Sequence, residues 1–176
     1  MLPLETALMS TRHTTRRIIT MRRVKFGVIG LGWFGEKHCE ALSGIPQVEL
    51  FALCTRTESR LQELAQSFNV PHAYTNYNEL LANPNVEAVS VVTMWDQHAA
   101  PTLAAVKAGK HVFVEKPMAS TVSDCEAMVR AANASDKCFM VGHICRFNPR
   151  YAAAKREIEE GKIGKIVSMY ARRNIP

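Results

Sequence analysis

The sequence contains no apolar run of the roughly 18–20 residues that a membrane-spanning helix needs. None of its five cysteines forms a C-x-x-C pair or stands at a spacing typical of zinc ligands. An odd number of cysteines without a disulfide framework also argues against a secreted protein. We therefore expect free thiols, no metal site and a reducing, cytoplasmic location, with Cys54 and Cys138 in buried strands.

Acidic residues are scarce only at the start of the chain. Residues 1–23 contain five arginines against the single acidic residue Glu5, so they carry +4 of the net charge of +6. The rest of the 176-residue chain is nearly neutral, which does not indicate nucleic-acid binding. The segment 1–23 has the composition of a transit peptide. We favour two simpler interpretations, a disordered leader or a translation start at Met21.

Short apolar segments alternate with helical patterns after residue 23. The predicted strands cover residues 24–29, 48–54, 71–74, 86–92, 111–115 and 138–142. The predicted helices cover residues 33–42, 58–68, 76–82, 97–108, 122–134 and 149–160. Strand and helix in alternation predict an α/β fold with a doubly wound parallel sheet, here a Rossmann domain over 24–147.

The last part of the chain follows a different pattern. Residues 148–176 combine a connecting helix with a strand-like stretch from Ile163 to Arg172. A single strand is not stable without partners. We therefore expect this stretch to be the first strand of a truncated α+β substrate domain, and the sequence to be the front half of a larger protein.

A glycine pattern joins the first strand to the first helix. Gly30 permits a tight turn, Gly32 lets the backbone approach a pyrophosphate, and Gly35 lets helix and strand pack closely. The helix N-terminus then offers N–H groups and a partial positive charge to phosphates. The predicted pyrophosphate site consists of Gly30, Leu31, Gly32, Trp33, Phe34 and Gly35.

The end of the second strand lacks the carboxylate that commonly binds the adenosine ribose. Thr55 and Arg56 stand there instead, and Arg60 follows one turn into the next helix. A hydroxyl and a guanidinium suit a 2′-phosphate, which a carboxylate would repel. The sequence therefore favours NADP(H) over NAD(H). The alternative is that Thr55 is only a turn residue and Arg56 a solvated charge.

A lysine follows the fifth strand in the segment Glu115-Lys116-Pro117. Ligands of open α/β sheets bind at this carboxyl edge. On chemistry alone, Lys116 is equally well explained as a surface residue in a turn or as a proton-transfer group. Pro117 fixes the turn, with a cis or a trans bond.

Several segments together resemble the Gfo/Idh/MocA family of oxidoreductases, the glucose–fructose oxidoreductase and inositol dehydrogenase group. The resemblance covers residues 24–173. Its motifs are Val28-Ile-Gly-Leu-Gly-Trp-Phe-Gly35, Cys54-Thr-Arg-Thr57, Ala105-Val-Lys-Ala-Gly-Lys-His-Val-Phe-Val-Glu-Lys-Pro117, Val141-Gly-His-Ile-Cys-Arg-Phe-Asn-Pro149 and Gly161-Lys-Ile-Gly-Lys-Ile166. The Ala-Gly-Lys-His and Glu-Lys-Pro block is the most specific of them.

The resemblance implies a nicotinamide-dependent dehydrogenase that transfers hydride to or from a sugar, polyol or related carbinol, and that is a homo-oligomer when complete. It implies that Lys116 is catalytic and that the Glu115-Lys116-Pro117 segment contacts the cofactor, as do Thr93 and His98. The complete family members carry a second domain with an acid/base histidine, so we expect this chain alone to bind nucleotide with little turnover.

Three further residues are candidates for substrate contact. Trp95 either forms a wall of the nicotinamide pocket or is an exposed aromatic at a helix start. His143 and Arg146 match the family segment near the domain junction, where Arg146 either binds a ligand or forms an ion pair. The alternative function for the whole chain is a stand-alone, non-catalytic dinucleotide-binding sensor or interaction module. A third possibility is redox-assisted glycoside cleavage.

Overall fold

The computed structural model describes residues 22–172, and the leader prediction for residues 1–23 falls almost wholly outside this range. A sheet of six parallel strands forms the centre of the molecule. The strands are β1 (Val24–Ile29), β2 (Val48–Cys54), β3 (His72–Tyr74), β4 (Ala88–Val91), β5 (His111–Glu115) and β6 (Phe139–Gly142). The predicted doubly wound α/β fold is therefore confirmed.

Within the described range, six α-helices connect or follow the strands. They are α1 (Trp33–Ser43), α2 (Glu58–Ser67), α3 (Tyr77–Ala82), α4 (Ala99–Lys107), α5 (Val122–Asn133) and α6 (Pro149–Glu159). Their starts follow the sequence signals: Thr121 accepts the Asp124 N–H at 3.1 Å, and Asn148 accepts the Arg150 N–H at 3.0 Å. Among the described helices, none has both the length and the apolarity to cross a bilayer.

The strand order places the beginning of the chain at the middle of the sheet. The order is β3-β2-β1-β4-β5-β6, so β1 pairs with β2 on one side and with β4 on the other. The chain therefore runs outward from β1 in one direction and then reverses. In such sheets, ligands bind outside the carboxyl ends of the strands at the point of reversal.

Apolar side chains cover both faces of the sheet. Successive strand residues alternate between the faces, so Val28 packs with the α1 and α2 side while Ile29 packs with the α3, α4 and α5 side. Leu61 and Leu64 fill the first face, and Met128 fills the second. Burial on both faces explains the near-continuous apolar runs in β2 and β4.

Three segments differ from the prediction. Cys138 is exposed because it precedes β6, an edge strand that pairs only with β5. The predicted helix over 97–108 divides into a 3₁₀ turn at Trp95–Gln97 and α4, with buried His98 between them. The stretch from Ile163 to Arg172 forms no strand within the described residues, since a strand needs a hydrogen-bonded neighbour.

A buried lysine stabilises the loops at the amino-terminal ends of the strands. Lys110 precedes β5, is only 7% exposed, and donates from Nζ to the carbonyl oxygens of Asn83 (2.9 Å) and Val86 (2.8 Å). Burial lowers the pKa of Lys110. The ammonium thus satisfies carbonyl groups in the connection between α3 and β4, so its role is structural.

Replacing this ammonium tests that role. We expect Lys110→Met to lower the free energy of unfolding by about 1–3 kcal/mol, because it leaves two carbonyl oxygens without a donor. Lys107→Met, at an exposed position of α4, is the matched control and should change stability by less than about 0.5 kcal/mol. Urea denaturation of both variants measures the difference, and equal stabilities would contradict the assignment.

Candidate dinucleotide-binding site

A large cavity lies at the carboxyl ends of the strands. Its volume is about 2030 Å³, and it spans the point between β1 and β4 where the strand order reverses. Residues that follow each of the six strands contribute to its wall: Gly30, Thr55, Thr75, Thr93, Lys116 and His143. The cavity thus lies where the topology of the sheet places a ligand.

Most of the residues predicted to form the site line this cavity. Those in the wall are Gly30, Leu31, Gly32, Trp33, Phe34, Thr55, Arg56, Thr93, Trp95, His98, Glu115, Lys116, His143 and Arg146. Those outside the wall are Gly35, Arg60 and Pro117. Within the described residues, no group of three or more metal-ligating side chains is present.

The glycine turn shows three different steric requirements. Gly30 has φ +98°, and a Cβ there would come within 2.5 Å of the Val92 carbonyl oxygen. A Cβ on Gly35 would overlap the carbonyl oxygen of Gly30. A Cβ on Gly32, by contrast, would meet no protein atom within 4 Å. The protein itself therefore needs glycine at positions 30 and 35, whereas the space at Gly32 is open to a ligand.

Helix α1 begins at this turn. Gly32 is its N-cap and has no side chain to occupy the N-terminal N–H groups. Leu31 is buried, whereas Trp33 is 73% exposed and stacks on Phe34 with 5.7 Å between ring centroids. Helix α1 is 11 residues long, and its uncapped N-terminus is a suitable site for an anionic group such as a pyrophosphate.

The two arginines after β2 lie in different surroundings. Arg56 is exposed at the cavity wall and makes one long side-chain hydrogen bond, from Nη2 to Gln97 Oε1 at 3.4 Å. Arg60 instead forms ion pairs with Glu63 and Glu36, and these hydrogen bonds raise its pKa. Its guanidinium is thus held between two helices, and the structure does not bring it to the cavity.

Arg60 also contacts the glycine turn from behind. Its Nε donates to the carbonyl oxygen of Leu31 at 3.3 Å. The guanidinium therefore links α2 to the glycine turn and, through Glu36, to the first turn of α1.

Thr55 is held by its backbone, since its N–H donates to the Tyr74 carbonyl at 3.2 Å. Its side chain lies in the cavity wall.

His98 connects two loops at the other half of the cavity. It is 2% exposed, with Nδ1 at 2.7 Å from the Pro117 carbonyl oxygen and Nε2 at 3.0 Å from the Thr93 carbonyl oxygen. Both partners are carbonyl oxygens, which only accept, so the ring donates at least one of these hydrogen bonds. Thr93 Oγ1 also donates to the Gln97 carbonyl, so residues 93–98 stabilise their own loop. Trp95, in the same loop, is 54% exposed in the cavity wall.

The segment after β5 presents a lysine to the cavity. The Lys116–Pro117 peptide bond is cis, and Lys116 is exposed in the cavity wall. Its backbone N–H donates to Glu115 Oε2 at 3.1 Å. Within residues 22–172, no side chain forms a hydrogen bond or ion pair with its ammonium group. That group is therefore available to a ligand.

A buried polar network lies beneath this lysine. The sequence prediction included only its Glu115, as a cofactor contact, and missed His38 and Ser90. His38 of α1 has Nδ1 at 2.7 Å from Ser90 Oγ and Nε2 at 3.2 Å from Glu115 Oε1. The order Ser–His–Glu resembles a hydrolase triad. Ser90 is only 2% exposed within β4, however, so no substrate reaches its hydroxyl. The one signal in the sequence was a serine in an otherwise apolar strand.

His143 and Arg146 lie at the β6 end of the cavity. Both are exposed, and the 3₁₀ turn Ile144–Phe147 positions them through a hydrogen bond from the Arg146 N–H to the His143 carbonyl at 3.0 Å. The cavity wall contains three cationic side chains, those of Arg56, Lys116 and Arg146, against Asp96 and Glu115. This excess of positive charge is suited to an anionic ligand.

Comparison with known proteins shows which family this chain is similar to. Residues 24–143 match the GFO_IDH_MocA family model, described as an oxidoreductase family with an NAD-binding Rossmann fold. The chain is 36% identical over 142 residues to myo-inositol 2-dehydrogenase from Thermotoga maritima, covering 81% of this chain and 42% of that protein. It is 32% identical over 145 residues to trans-1,2-dihydrobenzene-1,2-diol dehydrogenase from Mus musculus, covering 81% and 44%.

Solved structures agree with these relatives. Scyllo-inositol dehydrogenase from Lactobacillus casei, solved with bound NAD(H) and scyllo-inositol, superimposes with a TM-score of 0.79 and 26% identity, covering 81% of this chain and 43% of that one. The chain thus spans less than half the length of the relatives it matches. The family match covers well over half of the chain itself, and on this evidence the chain belongs to the Gfo/Idh/MocA oxidoreductase family.

Proposed function

We propose that this chain binds a nicotinamide dinucleotide across the cavity and forms the cofactor-binding part of a dehydrogenase. The open space at Gly32, directly before the N-terminus of α1, is the observation that carries the proposal. The pyrophosphate lies there, against backbone N–H groups. The adenosine half lies toward Thr55 and Arg56, and the nicotinamide half toward Thr93 and Lys116.

We infer that the preferred cofactor is NADP(H). No carboxylate lines the cavity after β2, where an NAD-specific site commonly carries one. Arg56 is exposed there and held by only one long hydrogen bond, so its guanidinium is available to a 2′-phosphate. Because Arg60 is engaged by Glu36 and Glu63, we assign this role to Arg56 and Thr55.

We propose a polyol or sugar as the substrate. The support comes from the relatives, which include inositol dehydrogenases of bacteria. The bound nicotinamide supplies or accepts the hydride. Lys116 hydrogen-bonds the reacting oxygen and moves its proton, since its ammonium is free and at the carboxyl end of β5. Trp95, His143 and Arg146 border the space left for the substrate.

Nucleotide binding and turnover are separate properties in this proposal. The residues assigned to the cofactor all lie within the matched range 24–143. The relatives are more than twice as long as the matched region, and we assign to their additional length the cover of the nicotinamide and the principal acid/base group. Binding is therefore tested on the chain itself, whereas turnover is tested on a fusion that supplies this additional length.

The open position at Gly32 gives the first prediction. We expect Gly32→Ala to weaken dinucleotide binding about tenfold or more, because the added Cβ occupies the space of the pyrophosphate, while the fold is unaffected. Fluorescence titration with NADPH and NADH measures the affinity, and thermal unfolding measures stability. If the variant binds both nucleotides as tightly as the unmodified chain, the pyrophosphate does not lie at this turn.

Cofactor preference is tested at Arg56. We expect Arg56→Ala to raise the Kd for NADPH about tenfold to hundredfold and to change the Kd for NADH less than about twofold, since only NADPH has the 2′-phosphate. Arg60→Ala is the matched control, because the guanidinium of Arg60 forms ion pairs with Glu36 and Glu63. It should not separate the two nucleotides. Equal affinity of the unmodified chain for NADPH and NADH would refute the preference.

The role of Lys116 is tested in an active fusion. The chain can be joined to the remaining carboxyl-terminal part of the Thermotoga maritima relative, to which it is 36% identical. In that fusion, Lys116→Ala should lower kcat for myo-inositol by about 10²–10⁴ through the loss of proton transfer, with a nearly unchanged Kd for the nucleotide. Lys107→Ala, away from the cavity, is the control. Full turnover of the Lys116 variant would exclude this role.

A further inference from the structure

The buried network beneath the cavity has a defined set of proton positions. Glu115 is 4% exposed and accepts hydrogen bonds, so the His38 nitrogen that faces it, Nε2, carries a proton. The other nitrogen, Nδ1, then accepts from the Ser90 hydroxyl at 2.7 Å. Burial lowers the pKa of His38, against the opposing effect of Glu115, which agrees with a neutral ring.

The imidazole ring is held tightly in this orientation. Phe34 and Phe113 pack on it with their rings tilted steeply to its plane, at centroid distances of 5.2 Å and 5.4 Å. The side chain of His38 is 14% exposed. A ring confined between two aromatic groups and two hydrogen-bond partners has one orientation open to it, so it fixes the position of the carboxylate that it contacts.

The carboxylate of Glu115 in turn holds the backbone of the next residue. Oε1 faces His38, while Oε2 accepts the N–H of Lys116 at 3.1 Å. Gly142 of β6 also lies close to this carboxylate, since a Cβ there would come within 2.6 Å of Oε1. Three elements, α1, β5 and β6, thus meet at this one carboxylate.

We propose that His38 is a positioning residue for the nicotinamide half of the site, acting through Glu115 on the backbone of Lys116. This inference rests on the proposed function, which places the nicotinamide toward Lys116. The network contacts neither the end of β2 nor Arg56, so the adenosine half is outside its reach. His38 lies on α1, whose N-terminus faces the pyrophosphate, and it therefore joins the two halves of the site mechanically.

Three variants of the full chain test this role. His38→Phe keeps a ring of similar size and removes both hydrogen bonds. His38→Gln retains them, because its amide donates to Glu115 and its carbonyl accepts from Ser90. His38→Asn is polar and too short to contact both partners, and it replaces His38→Phe in the comparison if that variant does not fold.

Two measurements separate positioning from general support. The first is the affinity for NADPH and for ADP, which lacks the nicotinamide half. We expect His38→Phe to weaken NADPH binding about tenfold and ADP binding less than about twofold, with His38→Gln close to the unmodified chain. The second is hydrogen exchange of the Lys116 amide, which should become about tenfold faster in His38→Phe, while amides of α5 are unchanged.

The outcomes decide between the roles. An equal loss of NADPH and ADP affinity would overturn the proposal, since it would show that His38 supports the whole fold rather than one half of the site. A Lys116 amide that exchanges at the unmodified rate in His38→Phe would overturn it as well. If the unmodified chain binds neither nucleotide, the proposed function fails, and the exchange rate of the Lys116 amide alone then decides whether His38 positions that residue.

Discussion

The close contact between Gly35 and the carbonyl oxygen of Gly30 sets the distance between the first helix and the first strand. A single Cβ at position 35 would overlap that oxygen, so any larger residue forces α1 away from β1. The strand β1 stands at the centre of the sheet, between β2 and β4. A shift of α1 would therefore disturb the element on which both halves of the sheet depend, and it would move the helix N-terminus from the place where a pyrophosphate fits.

The same helix contributes to the site a second time, nearly two turns further along. Its N-terminus opens on the cavity at Gly32, and His38 on its inner face contacts Ser90 and Glu115. Because the helix is a rigid rod over this distance, the position of the phosphate and the position of the Glu115 carboxylate are coupled. The close packing of Gly35 on Gly30 therefore has a second consequence besides the placement of the helix N-terminus. It brings an imidazole near enough to β5 to fix the backbone beside Lys116.

The fold was largely predictable because its signals are local and repeated. Strands covered on both faces are continuous apolar runs, and helix starts such as Thr121 and Asn148 carry their own capping residues. The segment after Ile163 has the same strand-like pattern but forms no strand in the described structure. Pattern indicates what a segment prefers, whereas a strand also needs a neighbour to hydrogen-bond with, which a local pattern does not reveal.

The site was predictable to the extent that its residues follow strands directly. Thr55, Thr93 and Lys116 reach the cavity because the carboxyl ends of parallel strands share one edge. Arg60 and His38 show why the remainder was not. Arg60 was assigned to a 2′-phosphate from its sequence position, yet Glu36, 24 residues earlier, holds its guanidinium. His38 contacts groups 52 and 77 residues away. Long polar side chains go to the partner that satisfies them best, and sequence spacing does not reveal that partner before the chain has folded.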